Sequence, residues 1–204
     1  MDNWPFHPVV RVDGGHWVLD LTRPPPTGWT PPFTWTVGRY DEARPWMYST
    51  DLFEGRRYHH IGLDLGGPAG TPVHAFADGR IHAVGCETDD GGYGPTIVTE
   101  HDIQMDANHD HPWAGTSRRL WVLHGHLSRD DMARWSAGDE VAKGEVLGHL
   151  GTAEENGGWS PHVHVQLATM APHGIEMQGV VAPEDVPAAL KAHPDPRLVL
   201  GALY

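Results

Sequence analysis

The feature that most constrains this chain is its run of short apolar segments, each cut off within a few residues by glycine, proline or an acidic turn residue. A strand sends successive side chains to opposite faces, so such segments suit a sheet with a buried face and give little support to a long helix. Strands are predicted at residues 8–12 (PVVRV), 17–21 (WVLDL), 60–65 (HIGLDL), 71–77 (TPVHAFA), 80–85, 95–101, 119–127 (RLWVLHGHL) and 161–168 (PHVHVQLA). Asp78-Gly79 stands between two of them, and this dipeptide suits a two-residue type I′ hairpin, which needs positive φ at both positions. Helix is scarce: residues 129–135 allow a turn or two, and 184–192 is the best candidate, opened by Pro183 and closed before Pro194. The expected class is all-β with one or two short helices.

A length of 204 residues suits one domain with a substantial core. The stretch 23–32 (RPPPTGWTPP) reads as an extended surface connection between a short leading strand pair and the main body. GTPVHAFADGRIHAVG and GDEVAKGEVLGHLG echo one another weakly, each with glycine turns between short strands, but no fixed period supports a solenoid. Residues 106–118 (DANHDHPWAGTSR) are polar and turn-rich, so a surface loop with solvated His109 and His111 is expected. The single cysteine, Cys86, cannot close an internal disulfide and is expected to be a buried thiol.

No apolar run approaches the ~20 residues of a membrane span, and the start MDNWPFHPVVRV lacks the pattern of a secretory signal, so a cytoplasmic location is expected. The 27 acidic and 14 basic side chains give a formal charge of −13, which argues against nucleic acid as a partner. Sixteen histidines are the compositional anomaly, and they point to metal or proton-transfer chemistry where their spacing is specific.

Three segments have such spacing. In His60-Ile61-Gly62-Leu63-Asp64, strand alternation puts His60, Gly62 and Asp64 on one face, with the glycine leaving room for an ion, and Ile61 and Leu63 in a core. In Pro161-His162-Val163-His164 both histidines share a face, and this segment is the expected source of a third ligand. Two imidazoles and a carboxylate match catalytic zinc sites, which keep one position open; cobalt or manganese would also accept these donors. Leu123-His124-Gly125-His126-Leu127-Ser128 adds a further His-x-His pair.

The order of these motifs, with Gly70 to Val73, Asp78-Gly79, His126 to Ser128 and Lys143 to Gly148 between the first and the last, resembles the lysostaphin/LytM-type zinc metallopeptidases over about residues 56–170. The resemblance implies a small antiparallel β-sandwich or barrel of the duplicated hybrid motif type. It also implies that His60, Asp64 and His164 bind Zn2+, while His126 and His162 are catalytic. The flanks, including HPVV, VLDLT, VGRYDEARPWMYSTDLF and PDPRLVLG, resemble the metallopeptidase-like module fused to class III aminotransferases and aminoglycoside-phosphotransferase-like kinases. The expected layout is one domain over 1–204, with an N-terminal extension (1–55), a catalytic core (56–170) and a C-terminal extension (171–204). The chain departs from the family at His124, where many members carry tyrosine, and shows no wall-binding module.

The resemblance makes a peptide or small amide the expected substrate. Peptidoglycan endopeptidase activity of the usual family type, or a non-catalytic metal-binding accessory role, are the alternatives. His124 is expected either beside the site or packed on its strand, and His59 on the surface. Tyr48, Glu54 and Arg56 are candidates for the cleft wall, and His74, His82 and His101 are assigned no chemistry.

Overall fold

The computed structural model describes residues 4–204, so the first three residues of the expected N-terminal extension lie outside it. Its strands are β1 (His16–Val18), β2 (Trp35–Gly38), β3 (Glu42–Ala43), β4 (His59–His60), β5 (Leu63–Gly66), β6 (Pro72–His74), β7 (Gly79–Glu87), β8 (Gly94–Gln104), β9 (Ser117–Gly125), β10 (Glu140–Val141), β11 (Val146–His149), β12 (His162–Ala168) and β13 (Val180–Val181). Eight form a sheet in the order β1-β2-β5-β12-β9-β8-β7-β10, flanked by the pairs β11-β6 and the triplet β13-β4-β3. The protein is mostly β, and its sheets stay open rather than closing into a barrel. Among the described residues helix is confined to α1 (Val186–Ala192), α2 (Arg197–Leu200) and short 3-10 segments, one of them Arg129–Arg134.

The main core follows from alternation. Ile97, Ile103, Leu120, Val122, Val163, Val165 and Leu167 lie on one face of the central strands and pack with Phe76, Leu147 and Leu150 from the flanking segments. The opposite face carries a smaller cluster of Val98, Leu123, Ala168 and Met177, and this is the face toward which the cleft opens. The two echoing segments pair with each other: β6 runs antiparallel to β11, and β7 to β10.

Several local expectations are corrected. Residues 8–12 form no strand; His74 N donates to Val9 O and His7 N to Phe76 O, so this stretch lies along β6 with Val9 and Val10 buried, while Pro8 lacks the donor a ladder needs. The leading pair is instead β1 with β2, and it is parallel. Asp78-Gly79 is not a hairpin turn, because β6 and β7 have different partners. Gly79 is required for proximity, since a Cβ there would collide with the Glu100 carbonyl and the His101 ring. Cys86 is exposed, at the outer end of β7 beyond the core. His111 is buried rather than solvated: its Nε2 donates to Leu198 O, and its ring packs between Trp4, Phe6 and Trp113.

Candidate metal centre

His60, Asp64 and His164 converge from three strands, β4, β5 and β12. The His-x-Gly-x-Asp motif is not one strand as alternation suggested: His60 ends β4 in the small sheet, the chain bends at Ile61-Gly62, and Asp64 sits on β5 in the large one. Ile61 and Leu63 are fully buried as expected. The register then sets the rest, with His164 opposite both Asp64 on β5 and Gly125 on β9. Directly opposed residues share a face, which places the carboxylate beside the imidazole. The room at Gly62 is taken by the His164 ring, which a Cβ would overlap.

The donor atoms are His60 Nε2, Asp64 Oδ1 and His164 Nδ1. They stand 3.0 Å (His60 to His164), 3.0 Å (His164 to Asp64) and 3.2 Å (His60 to Asp64) apart. Tetrahedral zinc with bonds of about 2.0–2.1 Å needs donors roughly 3.3 Å apart, so the triangle fits. Their protonation fits too. His60 Nδ1–H donates to Arg39 O at 2.9 Å, and His164 Nε2–H donates to Gln166 Oε1 at 3.1 Å. Each imidazole therefore turns a lone pair toward the carboxylate oxygen, and three acceptors at this separation repel unless a cation lies among them. Burial, with the charge of Arg44, lowers the pKa of His60 to about 4, so it is a neutral donor near pH 7. Burial pushes the Asp64 carboxyl up, but the Arg44 guanidinium bound to Oδ2 outweighs it and holds the group ionised.

His126 and His162 stand beside this triangle with ring centroids 4.2 Å apart. His126 Nδ1–H donates to Asn156 O at 3.0 Å and His162 Nδ1–H to Ser160 O at 2.7 Å, leaving Nε2 of each as the acceptor. Burial lowers both pKa values, His126 well below the usual imidazole range with help from His162 and His164, so both are neutral near pH 7. His126 lies just past the end of β9 at φ 65°, a left-handed conformation uncommon for any residue but glycine. Bonds from His126 N to Tyr93 O and from Gly151 N to His126 O hold it there. Strain retained at such a point is characteristic of functional sites.

A cleft of about 310 Å3 opens over these residues, with Leu19, Leu21, Met47, Phe53 and Trp159 among its apolar walls. Tyr48 lines it as expected, whereas Glu54 and Arg56 do not: both are exposed and pair with each other, and Arg56 also with Glu184. His124 is not beside the site. It shares the core-facing side of β9 with Leu120 and Val122, fully buried, and neither ring nitrogen makes a hydrogen bond of good geometry, the Ile97 and Val122 backbones being only in weak polar contact. His59 is half-buried and pairs with Asp41 at 2.6 Å. Sequence reasoning missed Arg44, Tyr93, Gln166 and Trp159, which carry no motif; only Gln166, two residues beyond His164 on the same strand face, had a signal in alternation.

The mostly β scaffold thus brings together a His/Asp/His group that could hold a metal ion. The model of peptidase family M23 matches residues 58–173, more than half of the chain, and the chain belongs to that family. It is 32% identical over 107 residues, 52% of its length, to the DD-carboxypeptidase/endopeptidase Mpg of Neisseria meningitidis serogroup B, with the same figures for the protein of that name from Neisseria gonorrhoeae. The match spans only 19% of those relatives' length. Among solved structures, a mutant catalytic domain of the prophage-encoded M23 protein EnpA from Enterococcus faecalis is 26% identical, with TM-score 0.43 and coverage of 74% of this chain and 89% of that one. The catalytic domain of lysostaphin from Staphylococcus simulans is 20% identical, with TM-score 0.38 and coverage of 65% and 80%.

Proposed function

We propose that this chain is a zinc-dependent peptidase or amidase in which His60, Asp64 and His164 hold the metal and His126 and His162 move protons, acting on a soluble peptide or small amide. The observation that carries the reading is the triangle of three lone-pair donors with two neutral imidazoles packed beside it. Zinc, when bound, supplies Lewis acidity, lowering the pKa of water toward 7 and polarising an amide carbonyl. His126 and His162 accept the proton released as water attacks, through Nε2, and return one to the departing amine; proton transfer of this kind contributes about 10²–10⁴-fold. Once protonated, the same group stabilises the oxyanion. The apolar walls exclude water from the carbonyl and seat an aliphatic or aromatic group next to the scissile bond.

The −13 charge supports a soluble substrate, since it repels anionic wall polymers within a Debye length of about 8–10 Å. So does the resemblance of the flanks to modules fused to aminotransferases and kinases, which also supports a cytoplasmic setting. A second reading, cleavage of peptidoglycan peptides, is supported by the activity in the name of the Neisseria relatives. Zinc-loaded protein incubated with purified peptidoglycan and, separately, with soluble peptides and amides decides between them. Chelator-sensitive cleavage of the soluble panel with little wall release is expected. Efficient wall release lost in His162→Ala would establish the second reading instead.

A further inference from the structure

Arg44 is the most buried charged side chain near the centre, with 2% of its side chain exposed. Four hydrogen bonds leave its guanidinium. Nε donates to Glu42 Oε2 at 2.9 Å, Nη1 to Asp64 Oδ2 at 2.8 Å and to the Tyr48 hydroxyl at 3.3 Å, and Nη2 to Arg39 O at 3.0 Å. The two oxygens of Asp64 are thereby divided. Oδ2 is bound by Arg44, and Oδ1 faces His60 and His164. The Arg39 carbonyl that receives Arg44 also receives His60 Nδ1–H, so one short segment contacts two of the three donors. Gly38 makes this possible. It pairs with Asp64 across β2 and β5, and a Cβ there would lie 2.6 Å from Asp64 Oδ2 and 3.0 Å from Arg44 Nη2. All of these contacts come from residues 38–48, outside the 58–173 matched by the family model.

We propose that residues 38–44 form an outer coordination shell for the metal, with Arg44 as the positioning residue that confines Asp64 to ligation through Oδ1 alone. The inference rests on the metal reading above. A carboxylate released from Arg44 is free to turn and offer both oxygens, which raises the coordination number at the expense of the position needed by water or substrate. Arginine is suited to the task because its planar fork reaches Glu42, Asp64 and the Arg39 carbonyl in one fixed orientation, which a lysine ammonium cannot reproduce. The carboxylate Glu42 balances the buried cation, so the pair needs no help from solvent.

The test is zinc affinity by chelator competition together with the visible spectrum of the cobalt-substituted protein, for wild type, Arg44→Lys, Arg44→Met, Gly38→Ala and the control Tyr48→Phe. Wild type should give the intense d–d bands of four-coordinate cobalt. Arg44→Lys and Arg44→Met should weaken zinc binding about 10–100-fold, the usual effect of losing an outer-shell partner, and shift the cobalt spectrum to the weaker bands of higher coordination. Gly38→Ala should move both readouts in the same direction by displacing Oδ2, and it keeps the test intact if Arg44→Met does not fold. Tyr48→Phe should leave both within about twofold, because its contact is long and does not touch Asp64. Zinc affinity and cobalt spectra unchanged in folded Arg44→Lys and Gly38→Ala would overturn the inference. Failure of wild type itself to take up metal would instead overturn the metallopeptidase reading.

Discussion

His124→Leu should make the protein more stable and flatten its response to acid. The side chain is fully buried in the main core, and neither of its nitrogens makes a hydrogen bond of good geometry, the backbones of Ile97 and Val122 offering only weak polar contact. A buried polar group left unpaired costs about 1–3 kcal/mol, so an apolar residue of similar size should raise stability at pH 7 by some fraction of that. The larger effect is with pH. Burial, followed by the neighbouring His101, lowers the pKa of His124 to about 3, against 6.5 for an ordinary imidazole. Between these values the unfolded chain binds a proton that the folded chain refuses, so stability is complete above pH 6.5 and is lost as the pH falls toward 3. At about 1.4 kcal/mol per pH unit, the loss from His124 alone is about 2 kcal/mol by pH 5. His101, held near pKa 4 by burial, loses a similar amount and remains in the variant. Urea unfolding at pH 7 and pH 5, in chelator so that ligand protonation does not confuse the result, measures the difference. The gap between variant and wild type should widen by about 2 kcal/mol at the lower pH. Parallel pH dependences would show that His124 is solvated or paired in solution and would refute the argument.

Gly62→Ala should fold but bind zinc at least about tenfold more weakly, because its Cβ overlaps the His164 ring; chelator competition reads this directly. His126→Ala and His162→Ala should each keep metal and lose turnover by about a hundredfold or more, whereas His164→Ala should lose the metal; metal content and steady-state rates separate the roles. Trp159→Ala, which opens one apolar wall of the cleft, should raise KM for substrates with an aromatic group more than for their glycine analogues, in a paired comparison of the two substrates.

The long strands and the three histidine segments were legible in the sequence because each obeys a local period. Strands β7, β8, β9 and β12 all fall within or around the predicted runs, and Ile61, Leu63, Val163 and Val165 are buried as alternation requires. What failed was the step from a local signal to a partner. Asp78-Gly79 has hairpin chemistry, but β6 pairs with β11, more than sixty residues away, and no dipeptide encodes that choice. The His-x-Gly-x-Asp motif looks like a single strand, yet its two ends belong to different sheets because Gly62 permits the bend and the His164 ring fills the space it leaves. His124 and His126 look equivalent in sequence, and the positive φ at His126 separates them, sending one ring to the site and leaving the other in the core. Arg44 was invisible for the simplest reason. Its partner Asp64 is twenty residues away, and the β2–β5 register and the β3–β4 pairing are needed to bring them together.

The central claim is that His60, Asp64 and His164 bind one zinc ion. Elemental analysis of wild type and His164→Ala, each purified without added metal and then titrated with zinc after dialysis, tests it most directly. One equivalent of zinc in wild type, taken up again after removal, and none held in folded His164→Ala is the predicted result. A folded wild-type protein that takes up no transition metal, or a His164→Ala variant that retains a full equivalent, would contradict it.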